Sequence, residues 1–360
     1  MYLISKLQIQ EDWLQDKIIR NEFEQYIIDS IKNYERNIVY PDGEDIRLIQ
    51  ALKIFKKFNS SKTVLIGKED VIIKNIKESQ IKDTNTIEII QPSKSNKLNY
   101  YSNLLIDLFK IRQKKITEAQ AEEMVCNNNY FSALMIRAGD AHCGLSGSLS
   151  STEAMMRPLI QIIQVGHKKR YLNAAAIEIV PNCPYGLNGQ FLLADVGVIP
   201  DPDEEQMLDI VLLSYETALA YFKDEPKIAM LSYSTKGSAI SHKIDQIKRV
   251  VERVRKINPR IKIDGELQLD AAIIPDVAQN KSPDSETAGY ANVLIFPELN
   301  SANITLKSIQ RFANAGYYGS TIQGAAIPFN DTSRGCFPED LVWLSGMTLM
   351  QRKRMEQKLQ

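Results

Sequence analysis

Asn37-Ile38-Val39-Tyr40-Pro41-Asp42-Gly43-Glu44-Asp45 leads into a run with Arg47, Leu48, Ala51, Leu52 and Phe55 at helical spacing, and Lys62-Thr63-Val64-Leu65-Ile66-Gly67 starts the pattern again. The first four residues read as a strand, Pro-Asp-Gly ends it, and an amphipathic helix follows. A second helix is expected from about Glu69 and another strand near residues 87–90. Strands alternating with helices predict a parallel-rich sheet covered on both faces. Asp42, Glu44 and Asp45 sit beside the turn, where acids cap the next helix, so their expected role is structural.

The 360 residues are 44% hydrophobic, enough for a large core, and at roughly 150 residues per domain two domains are expected. Lys+Arg and Asp+Glu balance at 44 each, so no overall charge draws the chain to nucleic acid or an anionic membrane, and any anion site must be local. Cys126, Cys143, Cys183 and Cys336 are scattered, with no Cys-x-x-Cys pair and no His at metal spacing. Free thiols in a reducing compartment, and no metal, are expected. No apolar run reaches the roughly twenty residues of a membrane span, and the N-terminus lacks the basic-then-apolar order of a signal peptide. The expected location is the cytoplasm.

Phe23, Tyr26, Ile27 and Ile31 predict a helix, while residues 1–20 read as a further helix or a loosely attached extension. Residues 98–128 read as one long amphipathic segment, whose basic run Lys110-Ile111-Arg112-Gln113-Lys114-Lys115 is ordinarily a solvated face. Ala133-Leu134-Met135-Ile136-Arg137-Ala138-Gly139 reads as a buried strand, and the Gly/Ser-rich residues 140–148 as a backbone nest for an anion. His142 and Cys143 are adjacent and point apart, which disfavours a catalytic pair. Residues 153–164, including Arg157, read as a helix. Strands at 174–180 and 191–198 flank Asn188-Gly189, a hairpin turn, so the second sheet is expected to be mixed.

Polar loops then recur at strand ends. Ser234-Thr235-Lys236-Gly237-Ser238-Ala239 follows a buried strand, residues 264–270 and 300–303 follow others, and Asn330-Asp331-Thr332-Ser333-Arg334-Gly335-Cys336-Phe337-Pro338-Glu339-Asp340 closes the series. On one edge of an α/β sheet these loops are expected to line one cleft. Arg334 offers a fork that matches phosphate or carboxylate oxygens, Ser333 a hydroxyl, Gly335 a close backbone approach, and Asp340 a base. The competing reading makes Pro338, Glu339 and Asp340 the first turn of a helix, its acids partners of the dipole. Without a metal cluster or a nucleotide fingerprint, the expected chemistry is group transfer between anionic partners.

Six stretches, in order, resemble the phosphate acetyltransferase family. They are Pro-Asp-Gly-Glu-Asp at 41–45, Met-Leu-Ser-Tyr-Ser-Thr-Lys-Gly-Ser-Ala at 230–239, Asp-Gly-Glu-Leu-Gln-Leu-Asp-Ala-Ala at 264–272, Ser-Pro-Asp-Ser at 282–285, Phe-Pro-Glu-Leu-Asn-Ser at 296–301 and Asn-Asp-Thr-Ser-Arg-Gly-Cys at 330–336. The resemblance spans almost everything after about Glu35. It implies an α/β, two-domain, isocitrate/isopropylmalate dehydrogenase-like fold with mixed sheets covered by helices. Domain I is expected from residues 1–170 and 323–360 and domain II from residues 171–322, with the active site between them and a homodimer as the assembly.

The resemblance also implies a reaction of acetate metabolism, acetyl-CoA plus phosphate reversibly giving acetyl phosphate plus CoA. CoA is then a substrate, no resident cofactor is implied, and activation by a monovalent cation stays open. By position, Asp340 corresponds to the base that takes the thiol proton, Ser333 to the hydroxyl that supports the transition state, and Arg334 to the cation on phosphate and acyl oxygen. Arg112 and Arg157 correspond to arginines that bind substrate and CoA. Ser234, Thr235, Lys236, Gly237, Asn300, Ser301, Gln323 and Asn330 complete the expected binding set. Val196 stands where some relatives carry cysteine after the aspartate of Ala194-Asp195, which favours direct transfer in a ternary complex over an acyl-cysteine. The rival readings are the same chemistry on propanoyl- or butyryl-CoA, a non-catalytic CoA- or phosphate-binding regulator, and a dehydrogenase, the last opposed by the missing metal-binding aspartates.

Overall fold

The computed structural model describes residues 19–167 and 169–358, so most of the first helix or extension expected at residues 1–20 lies outside the described residues. Among them the chain forms strands β1 (Ile38–Tyr40), β2 (Thr63–Ile66), β3 (Ile87–Ile90), β4 (Cys143–Ser146), β5 (Asn173–Ile179), β6 (Gln190–Ala194), β7 (Lys227–Leu231), β8 (Lys262–Leu267), β9 (Val293–Ile295), β10 (Gly316–Gln323) and β11 (Phe329–Asp331). The opening strand-loop-helix units build the first sheet, which is parallel throughout and runs β11-β4-β1-β2-β3. The second runs β10-β5-β6-β9-β7-β8 and is mixed, because β5 is antiparallel to both its neighbours. Asn188 and Gly189 take φ 52° and 85° in a two-residue turn closed by the Leu187–Gln190 bridge, at the end of the longer connection, residues 180–189, between β5 and β6.

Helices cover both faces of both sheets. One apolar cluster gathers Phe23, Ile27, Leu52, Ile177, Leu192, Val251, Trp343 and Met347, and the other gathers Val39, Leu105, Phe131, Ala176, Leu193 and Leu294. The helix Pro338–Gln357 packs on β4 of the first sheet and on β10 of the second, and so joins the two sheets.

Three sequence expectations are corrected. Ala133 to Gly139 is not a strand but the end of the helix Asn128–Ala138, which the Asn127 side chain caps and Gly139 closes at φ 84°. A short apolar run cannot separate a buried strand from a buried helix, and the caps decide it. The strand is β4, inside the segment read as a loop. Residues 98–128 divide into the helices Leu98–Ile111 and Glu118–Val125. The helix expected at 153–164 is Thr152–Pro158 continued by a π-helical turn, Leu159–Ile163, where Pro158 supplies no N–H to the α ladder.

Candidate active site

β11, β4 and β1 are neighbours and run parallel, so the loops leaving their carboxyl ends meet. The nest after β4 already holds an anion, the protein's own. Buried Asp42 accepts from Gly147 N (2.7 Å), Ser148 N (3.0 Å) and Ser150 Oγ (2.8 Å). The expected anion nest at residues 140–148 is therefore a structural clamp, and Asp42, like Glu44 on Lys68 N and Asp45 at the start of Ile46–Phe55, has the structural role expected of it. Gly147 takes φ 100°, and a Cβ there would lie 2.2 Å from Asp331 Oδ1, so the two loops approach this closely only across a glycine.

Arg47, which sequence reasoning did not nominate, ties these loops together. It grips Asp45 through Nε and Nη2 (3.1 and 2.7 Å) and donates to Ser148 O (2.7 Å), Arg334 O (2.8 Å) and Cys336 O (2.9 Å). The Arg334 backbone is fixed while its side chain stays exposed. Ser333 is also exposed, and its Oγ accepts from Gly335 N at 3.1 Å.

Asp340 stands in the first turn of Pro338–Gln357, its Oδ2 accepting from Phe337 N at 2.8 Å. Burial pushes its carboxyl up to about 6, against the pull of the Phe337 N–H, and the charge of Glu339 adds to the rise while Arg20 opposes it. Arg20 also pairs with Glu339 at 2.5 Å. Such a carboxylate is mostly ionised at neutral pH and is a stronger base than a free aspartate. Asp331, unnoticed within the quoted stretch, is buried as well. Its Oδ2 accepts from Thr152 Oγ1 at 2.7 Å, its Oδ1 has no partner among the described residues, and burial, with the charge of Asp42 behind it, pushes it up to about 6 against the Thr152 bond.

Arg112 contacts the segment that follows Arg157. Arg112 Nη2 donates to Ile160 O at 2.8 Å, three residues past Arg157, which pairs with Glu153 at 2.8 Å. Six other nominees follow strands of the second sheet. Ser234 to Gly237 follow β7 and Asn300 and Ser301 follow β9, and at roughly 4.8 Å per strand these are about 19 and 14 Å along the sheet from β10. Their donors are engaged locally: Lys236 Nζ with Asp264 at 2.5 Å, Gly237 N and Ser234 Oγ with Glu266 at 2.6 and 3.1 Å, Thr235 Oγ1 with Gln268 at 3.3 Å, and the Asn300 and Ser301 N–H groups with Glu298 at 2.8 Å.

Asn330 and Gln323 are interior supports rather than surface contacts. Asn330 Oδ1 accepts from Ile322 N (2.8 Å) and its amide donates to Thr348 and Gln351 (2.9 and 3.1 Å), while Gln323 Oε1 accepts from Ser214 Oγ (3.3 Å). The four loops expected to line one cleft thus leave two different sheets, the Ser333-Arg334 loop the first and the loops after β7, β8 and β9 the second. His142 Nδ1 accepts from Asn37 N at 3.0 Å while Cys143 is buried in β4, so the two form no pair. No group of His, Cys, Asp and Glu among the described residues could hold a metal, and no helix among them is long and apolar enough to cross a membrane.

The family described as phosphate acetyl/butaryl transferase matches residues 22–349. The phosphate acetyltransferase of Thermoanaerobacterium thermosaccharolyticum is 39% identical over 328 residues, which are 91% of this chain and 98% of that protein. A phosphotransacetylase from Streptococcus pyogenes superposes with a TM-score of 0.85 at 29% identity, over 92% of this chain and 98% of that one. A structure assigned as a 4-hydroxythreonine-4-phosphate dehydrogenase from Salmonella typhimurium shares the fold alone, with a TM-score of 0.53 at 10% identity over 88% of this chain and 99% of that one. That agrees with the dehydrogenase-like, two-sheet architecture expected from the sequence. Matched along 22–349, and 39% identical to a relative across nine-tenths of its length, the chain belongs to the phosphate acetyl/butaryl transferase family.

Proposed function

We propose that the protein transfers an acetyl group reversibly between CoA and inorganic phosphate by direct attack in a ternary complex. The observation that supports this most is Asp340: a carboxyl raised to about 6, anchored by the Phe337 N–H, and only seven residues past an exposed Ser333-Arg334 pair whose backbone Arg47 holds. A CoA thiol near pKa 8.5 is mostly protonated at pH 7, and Asp340 takes its proton as sulfur attacks the carbonyl carbon of acetyl phosphate. The oxygen gathers the charge, met by the Arg334 guanidinium and Ser333 hydroxyl. The carbonyl then re-forms, the C–O bond to phosphate breaks with its electron pair on phosphate, and Asp340 returns the proton to solvent or the leaving group. The surface shared by Arg112 and Arg157 holds CoA.

A homodimer in the cytoplasm, serving acetate metabolism without a resident cofactor, completes the proposal, while the relatives named as phosphate acetyltransferases support the acetyl transfer itself. The test is release of CoA thiol from acetyl-, propanoyl- and butyryl-CoA with and without phosphate, in potassium and in potassium-free buffer. Phosphate-dependent release greatest with acetyl-CoA is expected. A clear preference for butyryl-CoA would move the protein to the longer-chain enzymes, and tight CoA binding without release would make it a regulator.

A further inference from the structure

Asp340 shares the first turn of Pro338–Gln357 with Glu339, a second carboxylate that keeps only 12% of its side chain exposed. Arg20 meets that carboxylate, its Nη1 lying 2.5 Å from Glu339 Oε1. Arg20 is itself held in place. Its N–H donates to buried Glu24 at 2.6 Å, the other Glu24 oxygen accepts from the Tyr318 hydroxyl of β10 at 2.7 Å, and Asn21 Nδ2 donates to that hydroxyl at 2.6 Å. The helix Glu22–Ile31 that follows lies against the helix of Asp340. Phe23 meets the Tyr318 ring edge-on with centroids 5.3 Å apart, and a Cβ on Gly346 would stand 2.3 Å from Ile27 Cγ2. An arginine reaching from so fixed a base straps the turn, and its loss would leave a mostly buried carboxylate without that cation beside the base. Arg20 precedes residues 22–349, so the family match does not reach it.

We propose that Arg20 is a positioning residue for the acyl transfer proposed above, a reading on which it rests: by gripping Glu339 it holds the first turn that carries Asp340 and offsets the negative charge next to the base. The charged and titratable groups around Asp340 are Glu339 on its own turn, Arg20 from the preceding segment, Cys336 from the loop before it and the Tyr317 hydroxyl from β10, while Glu24 stands on the far side of Arg20. Glu339 pushes the Asp340 carboxyl up and Arg20 pulls it down, so the two partners of the strap act on the base with opposite sign.

The experiment measures kcat for CoA plus acetyl phosphate, both saturating, from pH 5 to pH 8 in wild type, R20M, R20K and E339Q. Substrate titration is common to all four and cancels in their ratios. R20M is expected to lose about tenfold in kcat at pH 8 with the KM for CoA within about twofold, because the base is displaced while the CoA surface is untouched. Its ratio to wild type should fall a further threefold or about that towards pH 5, as the acid limb moves to higher pH. R20K keeps the cation and should recover most of the loss. E339Q cuts the same strap but removes the negative charge, so its kcat should fall at pH 8 while its acid limb moves to lower pH. A general loss of packing would lower kcat at every pH without these opposite movements. Unmoved limbs in both variants, or a raised KM for CoA with kcat intact in R20M, would overturn the inference. Should the wild type show no phosphate-dependent release at all, the acyl-transfer reading fails by itself, and the Phe337 amide, which donates to Asp340, still follows that carboxyl in protein labelled with nitrogen-15 phenylalanine. A midpoint of about 6 that climbs in R20M and drops in E339Q would uphold the grip of Arg20 on the base, and a midpoint that stays fixed in both would overturn it.

Discussion

The loop after β11 and the loop after β7 are both short, hydroxyl-bearing and cationic, yet they are held in opposite ways. Ser333 and Arg334 present exposed side chains because something else fixes their backbone: Arg47 reaches in from the helix Ile46–Phe55 and takes two of that loop's carbonyls. Ser234, Lys236 and Gly237 are fixed by their own donors, turned onto Asp264 and Glu266 of the next strand. Similar composition therefore says little about which loop is reactive. A loop braced from outside keeps its functional groups for a ligand, whereas a self-braced loop has already used them.

The largest effect should come from the acid beside the braced loop. Asp340→Asn removes the base and keeps the shape, so kcat should fall about a hundred- to ten-thousand-fold while CoA affinity stays nearly unchanged. Single-turnover rates and direct CoA titration check this, and lost affinity with normal turnover would contradict the assignment. Because burial raises Asp340 to about 6, activity in the CoA plus acetyl phosphate direction should also decline as pH drops through that value. The brace comes next. Arg47→Met leaves Asp45 without its guanidinium and frees the carbonyls of Arg334 and Cys336, and a displacement of about 1 Å in the loop is enough for roughly a hundredfold loss of kcat. Urea melts should show a loss of about 1–3 kcal/mol. Unchanged kcat would mean that the loop does not need this tie.

How much of this was readable from the sequence follows from range. Local patterns carried well: the alternation around Val39 and Val64, the Asn188-Gly189 turn and the acids at Asp42 to Asp45 each depend on residues a few positions apart. The helix at 128–138 was misread because an apolar run looks the same on either buried element. Ser333, Arg334 and Asp340 were nominated together because they share one short stretch. Arg47 was not, since its partners lie 101, 287 and 289 positions away and nothing around it announces them. The burial of Asn330 and Gln323 was hidden for the reverse reason, as a polar residue in a polar stretch gives no sign that its amide is turned into the core. Lys236 looked like a free cation because Asp264, 28 residues on, could not be placed beside it.

A smaller effect is expected from Arg112, on the surface it shares with Arg157. Arg112→Ala removes a contact made equally in ground and transition states, so the KM for CoA should rise several-fold with kcat nearly intact. A fall in kcat alone would place this arginine at the reacting atoms instead.

The smallest effect should come from Lys236→Met, where the self-braced loop is put to the test. Lys236 is partly exposed while Asp264 is buried, and Arg255 also reaches the same Asp264 oxygen at 3.3 Å and keeps a cation on it, so the loss should be about 1–3 kcal/mol and turnover should stay within about twofold. Its pH signature is more telling than its size. Burial would raise Asp264, but Lys236, with Ser285 and the Gly265 N–H, outweighs burial and holds the carboxyl low. A lowered carboxyl contributes stability above the ordinary aspartate range and loses it as pH falls through its folded value. The deficit of the variant should therefore be seen at pH 7 and fade towards pH 3 in paired urea melts. If Lys236→Met instead abolished turnover with stability intact, the loop after β7 would belong to the reacting site, and outside bracing would no longer distinguish the two edges.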